Sequence, residues 1–359
     1  MAWHYRLVHR LLHFIEPAGT SRGVYTTRDA WYVVLSDDTG RYGVGECAPL
    51  PDLSCDAGPD YAERLEKVCQ DFCATGSVDS SCPEESPSMR FGLETALLHY
   101  EKGSVRFYDT PFSRGEKDIP INGLVWMGNH EKMLERMKAK LAMGFKCLKF
   151  KIGGIDFESE CDLLSRVRAL YPEPCDLEIR LDANGSFSAE NAMERLERLA
   201  TFRPHSLEQP VRQGNWQLMA ELCKNSPIPL ALDEELIGVT GTRKKELVET
   251  IRPAYLVIKP SLHGGIRGME EWIELAGKYG VGHWVTSALE SNIGLNAIAQ
   301  WLGREDPAMP QGLGTGQLFS DNCELMPASL RGAAMHCDPC AAEPNLASWL
   351  GLTGFMTKD

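Results

Sequence analysis

Six charged residues close short apolar runs in the middle of the chain: Lys149 and Lys151 in CLKFKIG, Asp182 in LEIRLDANG, Glu208 in HSLEQP, Asp233 in IPLALDE and Lys259 in AYLVIKP. Side chains at i and i+2 share one face of a strand. Lys149 with Lys151, Arg180 with Asp182, Ala231 with Asp233, and Val257 with Lys259 therefore face one way, while Phe150, Leu181, Leu232 and Ile258 face the other. The steps from Asp182 to Glu208 to Asp233 to Lys259 are 26, 25 and 26 residues, one strand-helix unit each, so successive strands contribute one group apiece. Singly, each has a plainer reading. DANG is a turn sequence, LEQP and LDEE suit solvated strand ends or helix caps, and a lysine before proline can snorkel at a surface. As a set, three carboxylates and three lysines at equivalent strand ends are unfavourable to bury unless they pair or bind a metal.

Three carboxylates with no His or Cys among them make an oxygen-only ligand set, which selects a hard divalent ion, Mg²⁺ first and Mn²⁺ as a substitute. Lysines flank that ion from two sides. A divalent ion stabilises an enediolate, and a lysine can remove a proton next to a carboxylate. A free lysine, with a pKa of about 10.4, is a poor base at neutral pH. A neighbouring ammonium and the metal lower that value. The pattern thus makes Lys151 the base, with Lys149 depressing its pKa and contacting the substrate carboxylate or an intermediate's charge.

The elements that must hold these groups alternate. IPINGLVW, CLKFKIG, LEIRLDANG, HSLEQP, IPLALDE, AYLVIKP, VGHWVTSA and PQGLGTG read as eight strands, separated by helical periodicity near 129–143, 215–224, 242–251, 266–279 and 293–302 and by two further helices. Strict alternation predicts an α/β fold, a modified (β/α)8 barrel spanning 116–317, with an open doubly wound sheet as the structural rival. Ionisable groups at the carboxyl ends of barrel strands lie where barrel active sites form. Residues 1–115 have a different texture, strands joined by turns and then helices at 60–73 and 88–102, which predicts an α+β capping domain. Residues 318–359 are expected to pack back on that domain.

A net charge of −13 opposes phosphate backbones and anionic leaflets, so neither nucleic acid nor membrane is an expected partner; a small carboxylate substrate is. The start MAWHYRLVHRLLHF has no leader-like apolar core and no run of eighteen apolar residues occurs, so a soluble cytoplasmic protein is expected. The 12 cysteines are scattered and read as reduced thiols; the CxxC of Cys337 and Cys340 has no second pair beside it. Oligomeric state is left open.

KFK, LDANG, LEQP, LDE and IKPS, in this order behind a capping domain, resemble the muconate lactonizing subgroup of the enolase superfamily across nearly the whole chain. The resemblance implies that Lys151 is the general acid/base with Lys149 its partner, that Asp182, Glu208 and Asp233 hold Mg²⁺, and that Lys259 is the opposite lysine. GTSRGV at 19–24, TSALES at 286–291 and GLGTGQLF at 312–319 look like the members that dehydrate 2-succinyl-6-hydroxy-2,4-cyclohexadiene-1-carboxylate to o-succinylbenzoate in menaquinone biosynthesis. There Lys259 would stabilise the anionic intermediate by its charge and transfer no proton. Asn184 and Glu234 are then expected to orient the metal ligands. Ser287 is expected to hydrogen-bond the succinyl carboxylate, Gly264 and Gly265 to admit backbone to the substrate, and Ser21 and Arg22 to reach it from a capping loop. His263 is expected to be an exposed loop residue. The same scaffold also serves N-succinylamino acid racemases and dipeptide epimerases, although GTGQ stands where the latter carry Asp-x-Asp. A catalytically silent barrel used for binding is the rival of another class.

Overall fold

The computed structural model describes residues 2–20, 23–125 and 130–352. Alternating apolar and polar residues produce an antiparallel meander of β1 (Trp3–Thr20), β2 (Gly23–Asp37) and β3 (Tyr42–Cys47). Its buried face meets α1 (Tyr61–Thr75), the short α2 (Val78–Ser81) and α3 (Pro87–Lys102). α1 buries the stripe Tyr61, Leu65, Val68, Cys69 and Phe72 and stops at Gly76, whose φ of 67° lets its N–H bond the Phe72 carbonyl. α3 lies directly on β3: a Cβ on Gly45 would stand 1.8 Å from the Gly92 carbonyl oxygen, so only glycine allows this approach.

From residue 119 strands and helices alternate. They are β4 (Ile119–Pro120), β5 (Gly123–Val125), α4 (His130–Ala142), β6 (Cys147–Lys151), α5 (Phe157–Leu170), β7 (Glu178–Asp182) and α6 (Ala192–Ala200). Then follow β8 (Ser206–Glu208), α7 (Trp216–Asn225), β9 (Leu230–Leu232), α8 (Thr242–Ile251), β10 (Tyr255–Ile258), α9 (Gly265–Tyr279), β11 (Gly282–Val285) and α10 (Asn292–Glu305). β5 to β11 form one parallel sheet in sequence order. Its outer face, with Leu148, Phe150, Leu181, Leu207, Leu232 and Ile258, packs on helix residues such as Leu163, Leu196, Met219 and Trp272. Ala231, Val257 and Trp284 fill the interior, with the Arg180 guanidinium 4.4 Å from the centroid of the Trp284 ring.

The sheet curls until its two edges meet at Gln311 and Gly312, which bridge in parallel to Ile121 and Thr286 respectively. The architecture is therefore the modified α/β barrel with an α+β cap. Two expected elements differ. PQGLGTG closes the barrel through these isolated bridges, not through a continuous eighth strand; its three glycines favour extended pairing weakly, and a Cβ on Gly312 would stand 2.1 Å from Thr286 Oγ1. IPINGLVW is divided. Ile119–Pro120 pairs antiparallel with a carboxyl-terminal hairpin, Ile121 bridges Gln311 where the barrel closes, Gly123–Val125 pairs with β6, and Trp126 lies outside the described residues.

That hairpin is β12 (Ala328–Arg331) with β13 (Ala334–Cys337), followed by α11 (Leu346–Trp349). Phe319, Cys323, Met326, Leu346 and Leu350 enter a core with Leu12, Ala30, Tyr32 and Val34 of the cap. The carboxyl-terminal segment thus touches both barrel and cap. Among the described residues no helix is long and apolar enough to cross a membrane. All 12 cysteines are free thiols, Cys337 buried and Cys340 exposed.

Candidate active site

Strand register sets Lys151 beside Asp182 and Asp182 beside Glu208. Asp233 and Lys259 follow directly on β9 and β10. Oxygens of Asp182, Glu208 and Asp233 lie within 4.8 Å of one another, and all three side chains are fully buried. The lysines close around them. Lys149 Nζ donates to Glu208 Oε2 at 2.5 Å and lies 2.9 Å from Asp182 Oδ2. Lys151 Nζ is 3.0 Å from the same Asp182 oxygen and donates to Asn184 Oδ1 at 2.8 Å. Lys259 Nζ donates to Asp233 Oδ2 at 2.5 Å.

Burial is the largest influence on Asp182 and raises its pKa, yet Lys149, Lys151 and Lys259 together outweigh it and hold the carboxyl below its ordinary value. Glu208 goes the other way, pushed by burial to about 7 with Lys149 opposing only in part. Burial would lower Lys149, but Asp182, Glu208 and Asp233 keep its ammonium favoured. With Glu234, four buried carboxylates face three ammonium groups. Glu208 Oε1 and Asp233 Oδ1 are buried without a hydrogen-bond partner. A deficit of positive charge, orphaned oxygens and an oxygen-only donor set fit a hard divalent cation.

The site opens into a cavity between barrel and cap. Lys149, Lys151, Asn184, Glu234 and Lys259 line one side, and Tyr25, Leu50, Leu53, Ser287, Leu289 and Thr315 are among the residues lining the other. Asn184, in the left-handed region at φ 45°, bridges the site: besides accepting from Lys151 it donates to Glu234 Oε1 at 2.8 Å. Ser287 Oγ sits 2.5 Å from Thr315 Oγ1 at the cavity wall. Ser21 and Arg22 lie outside the described residues.

Two expectations are corrected here. Gly264 and Gly265 do not line this cavity; they start α9, packed against the cap, where a Cβ on Gly265 would meet Glu94 Oε2 at 2.4 Å. His263 is buried, because the turn after β10 folds its ring back so that Nδ1 accepts the Lys259 backbone N–H at 2.9 Å. Its burial, with Lys259 and Lys244 nearby, holds its pKa well below the ordinary value. Tyr25, Leu50 and Leu53 were not singled out in the sequence. No local signal marks them, since they reach the cavity from another domain.

The amino-terminal part, residues 21–100, matches the family model described as MenC, N-terminal domain, and residues 132–311 match the enolase C-terminal domain-like model. An o-succinylbenzoate synthase from Desulfotalea psychrophila is 46% identical over 343 residues, covering 87% of this chain and 93% of that protein. The chain belongs to the o-succinylbenzoate synthase family of the enolase superfamily. The crystal structure of MenC from Desulfotalea psychrophila superposes on this family member with a TM-score of 0.81 at 41% identity, covering 94% of this chain and 100% of that one. The o-succinylbenzoate synthase from Thermosynechococcus elongatus, solved with Mg in its active site, gives a TM-score of 0.70 at 26% identity, covering 87% and 92%.

Proposed function

We propose that the chain dehydrates 2-succinyl-6-hydroxy-2,4-cyclohexadiene-1-carboxylate to o-succinylbenzoate, a step in making menaquinone, using Lys151 as both base and acid. The observation that carries this is the cavity, where lysines converge on three buried carboxylates that hold the ligand geometry of a divalent ion. Asp182, Glu208 and Asp233 would hold Mg²⁺, which when bound supplies a Lewis acid for the substrate's carboxylate. Lys151 Nζ, placed by Asp182 and Asn184, takes the proton α to that carboxylate. The same ammonium returns the proton to the departing hydroxyl, so one C–H and one C–O bond break, water leaves on the face the proton left, and the ring becomes aromatic. Lys259, fixed by Asp233, lends positive charge to the anion formed between the two steps. Aromatisation makes the elimination strongly downhill.

The test follows loss of the diene absorbance with Mg²⁺. Wild type should turn over, while Lys151→Ala should lose roughly 10²–10⁴-fold in kcat, and chelation should silence wild type. Lysines lining one cavity also suit proton transfer at a single carbon, the chemistry of a racemase. An inactive wild type that instead exchanges the α-hydrogen of N-succinyl amino acids for deuterium would replace dehydration by racemisation.

A further inference from the structure

Arg28 stands on β2 three residues after the cavity-lining Tyr25, and only 3% of its surface is exposed. Its guanidinium donates to four main-chain carbonyls. Nη1 bonds the Pro49 oxygen at 2.5 Å and Nη2 the Ala48 oxygen, both in the cap; Nη2 also bonds the Ala288 oxygen at 3.1 Å and Nε the Leu289 oxygen at 3.2 Å, both in the barrel. The two cap carbonyls directly precede Leu50, and Leu50, Ala288 and Leu289 all line the substrate cavity. Leu289 holds φ 65°, a conformation that leucine adopts only when its surroundings impose it.

The contacts continue inward. Glu290, fully buried, accepts the Ala288 N–H at 2.6 Å and the Ser261 hydroxyl, and Ser261 is two residues past Lys259. The charge of Arg28 is faced by Glu290 and Glu46. A planar fork of five N–H donors can bridge two chain segments in this way, whereas the three donors of a lysine radiate from one point.

We infer that Arg28 is a positioning residue, joining the Ala48–Leu53 loop of the cap to the Ala288–Glu290 loop of the barrel to form the cavity wall facing away from the acidic triad. This rests on the dehydration reading above. With the ring carboxylate at the triad, that wall receives the succinyl arm, so Arg28 governs affinity for the arm and leaves the proton transfer to Lys151.

The experiment is steady-state kinetics of wild type, Arg28→Lys and Arg28→Met with the cyclohexadiene carboxylate and Mg²⁺, alongside thermal melts. KM should rise about tenfold in both variants, the effect of losing about one charge-assisted hydrogen bond, while kcat stays within about threefold. A purely structural role would lower the melting temperature and the active fraction, and so the apparent kcat, at an unchanged KM. Folded variants with wild-type KM overturn the inference, and so does failure of both variants to fold, which would make Arg28 a folding determinant only. Absence of turnover in wild type removes the dehydration reading and this inference with it; unchanged KM beside an active wild type removes this inference alone.

Discussion

Asn184 shows how one residue organises the site. It occupies the left-handed region that asparagine tolerates better than most residues, and there one side-chain end accepts from Lys151 while the other donates to Glu234. Glu234 is itself buried, and burial, with Asp233 and Asp182 beside it, raises its pKa, so the amide also satisfies a group that has few donors nearby. Asn184→Ala should lower kcat roughly ten- to a hundredfold, as loss of a partner that orients reacting groups does. It should also cost about 1 kcal/mol of stability, because alanine fits that backbone region poorly. Kinetics and a melt on the same sample check both numbers; a kcat equal to wild type would leave Lys151 oriented by Asp182 alone. Much of this residue scale is legible without coordinates. Strand parity places Lys149, Lys151, Asp182, Asp233 and Lys259 on inward faces, because the side-chain period of two is a local property. That Lys149 rests against both Asp182 and Glu208 is not local, since it needs three neighbouring strands in register.

At the scale of elements, two barrel helices begin on carboxylates supplied by the cap. Glu46 of β3 accepts from Ser291 and Gly294 at the start of α10, and Glu94 of α3 accepts from Ile266 at the start of α9. Backbone N–H groups at a helix start favour a carboxylate, yet burial dominates both and pushes Glu46 to about 7 and Glu94 to about 8 from an ordinary 4.5. The folded state therefore binds more protons than the unfolded state between 4.5 and those values. Stability from these groups is fully present below 4.5 and is lost as pH rises through about 7 for Glu46 and about 8 for Glu94. Glu46→Gln and Glu94→Gln retain an acceptor oxygen and should flatten the fall of melting temperature between pH 5.5 and 8.5 relative to wild type. His99, pushed down to about 4 mainly by burial, acts oppositely below its ordinary value but equally in all three proteins. Parallel curves for wild type and both variants would show that these carboxyls stay ionised throughout.

For the molecule as a whole, the cavity exists because two domains meet, with the triad and lysines from the barrel and Tyr25, Leu50 and Leu53 from the cap. The carboxyl-terminal segment ties the domains together from behind. Leu346 is fully buried with Leu12 and Tyr32, and the Arg10 guanidinium lies 3.9 Å from the centroid of the Trp349 ring while donating to its carbonyl. Leu346→Ala should cost about 2–5 kcal/mol in urea unfolding and leave kcat of the folded enzyme unchanged, since this cluster contributes no group to the triad, although it packs against the cavity-lining Leu289. A large KM change at full folding would instead mean that the tail controls the cap's seating.

The alternation of strands and helices, the inward charges and the oxygen-only ligand set follow from the sequence by itself, because hydrophobic periodicity and one-unit spacing depend on residues close in the chain. Contacts between distant segments were decided only by tertiary structure. It divided IPINGLVW between two sheets, reduced PQGLGTG to bridges at Gln311 and Gly312, and turned Gly265 toward the cap. It also buried His263 beneath Lys259 and brought Tyr25 and Leu50 to the cavity. The physical reason is that a local pattern determines which face of an element avoids water, while its packing partner is chosen by shape, charge and hydrogen-bond satisfaction across the folded chain.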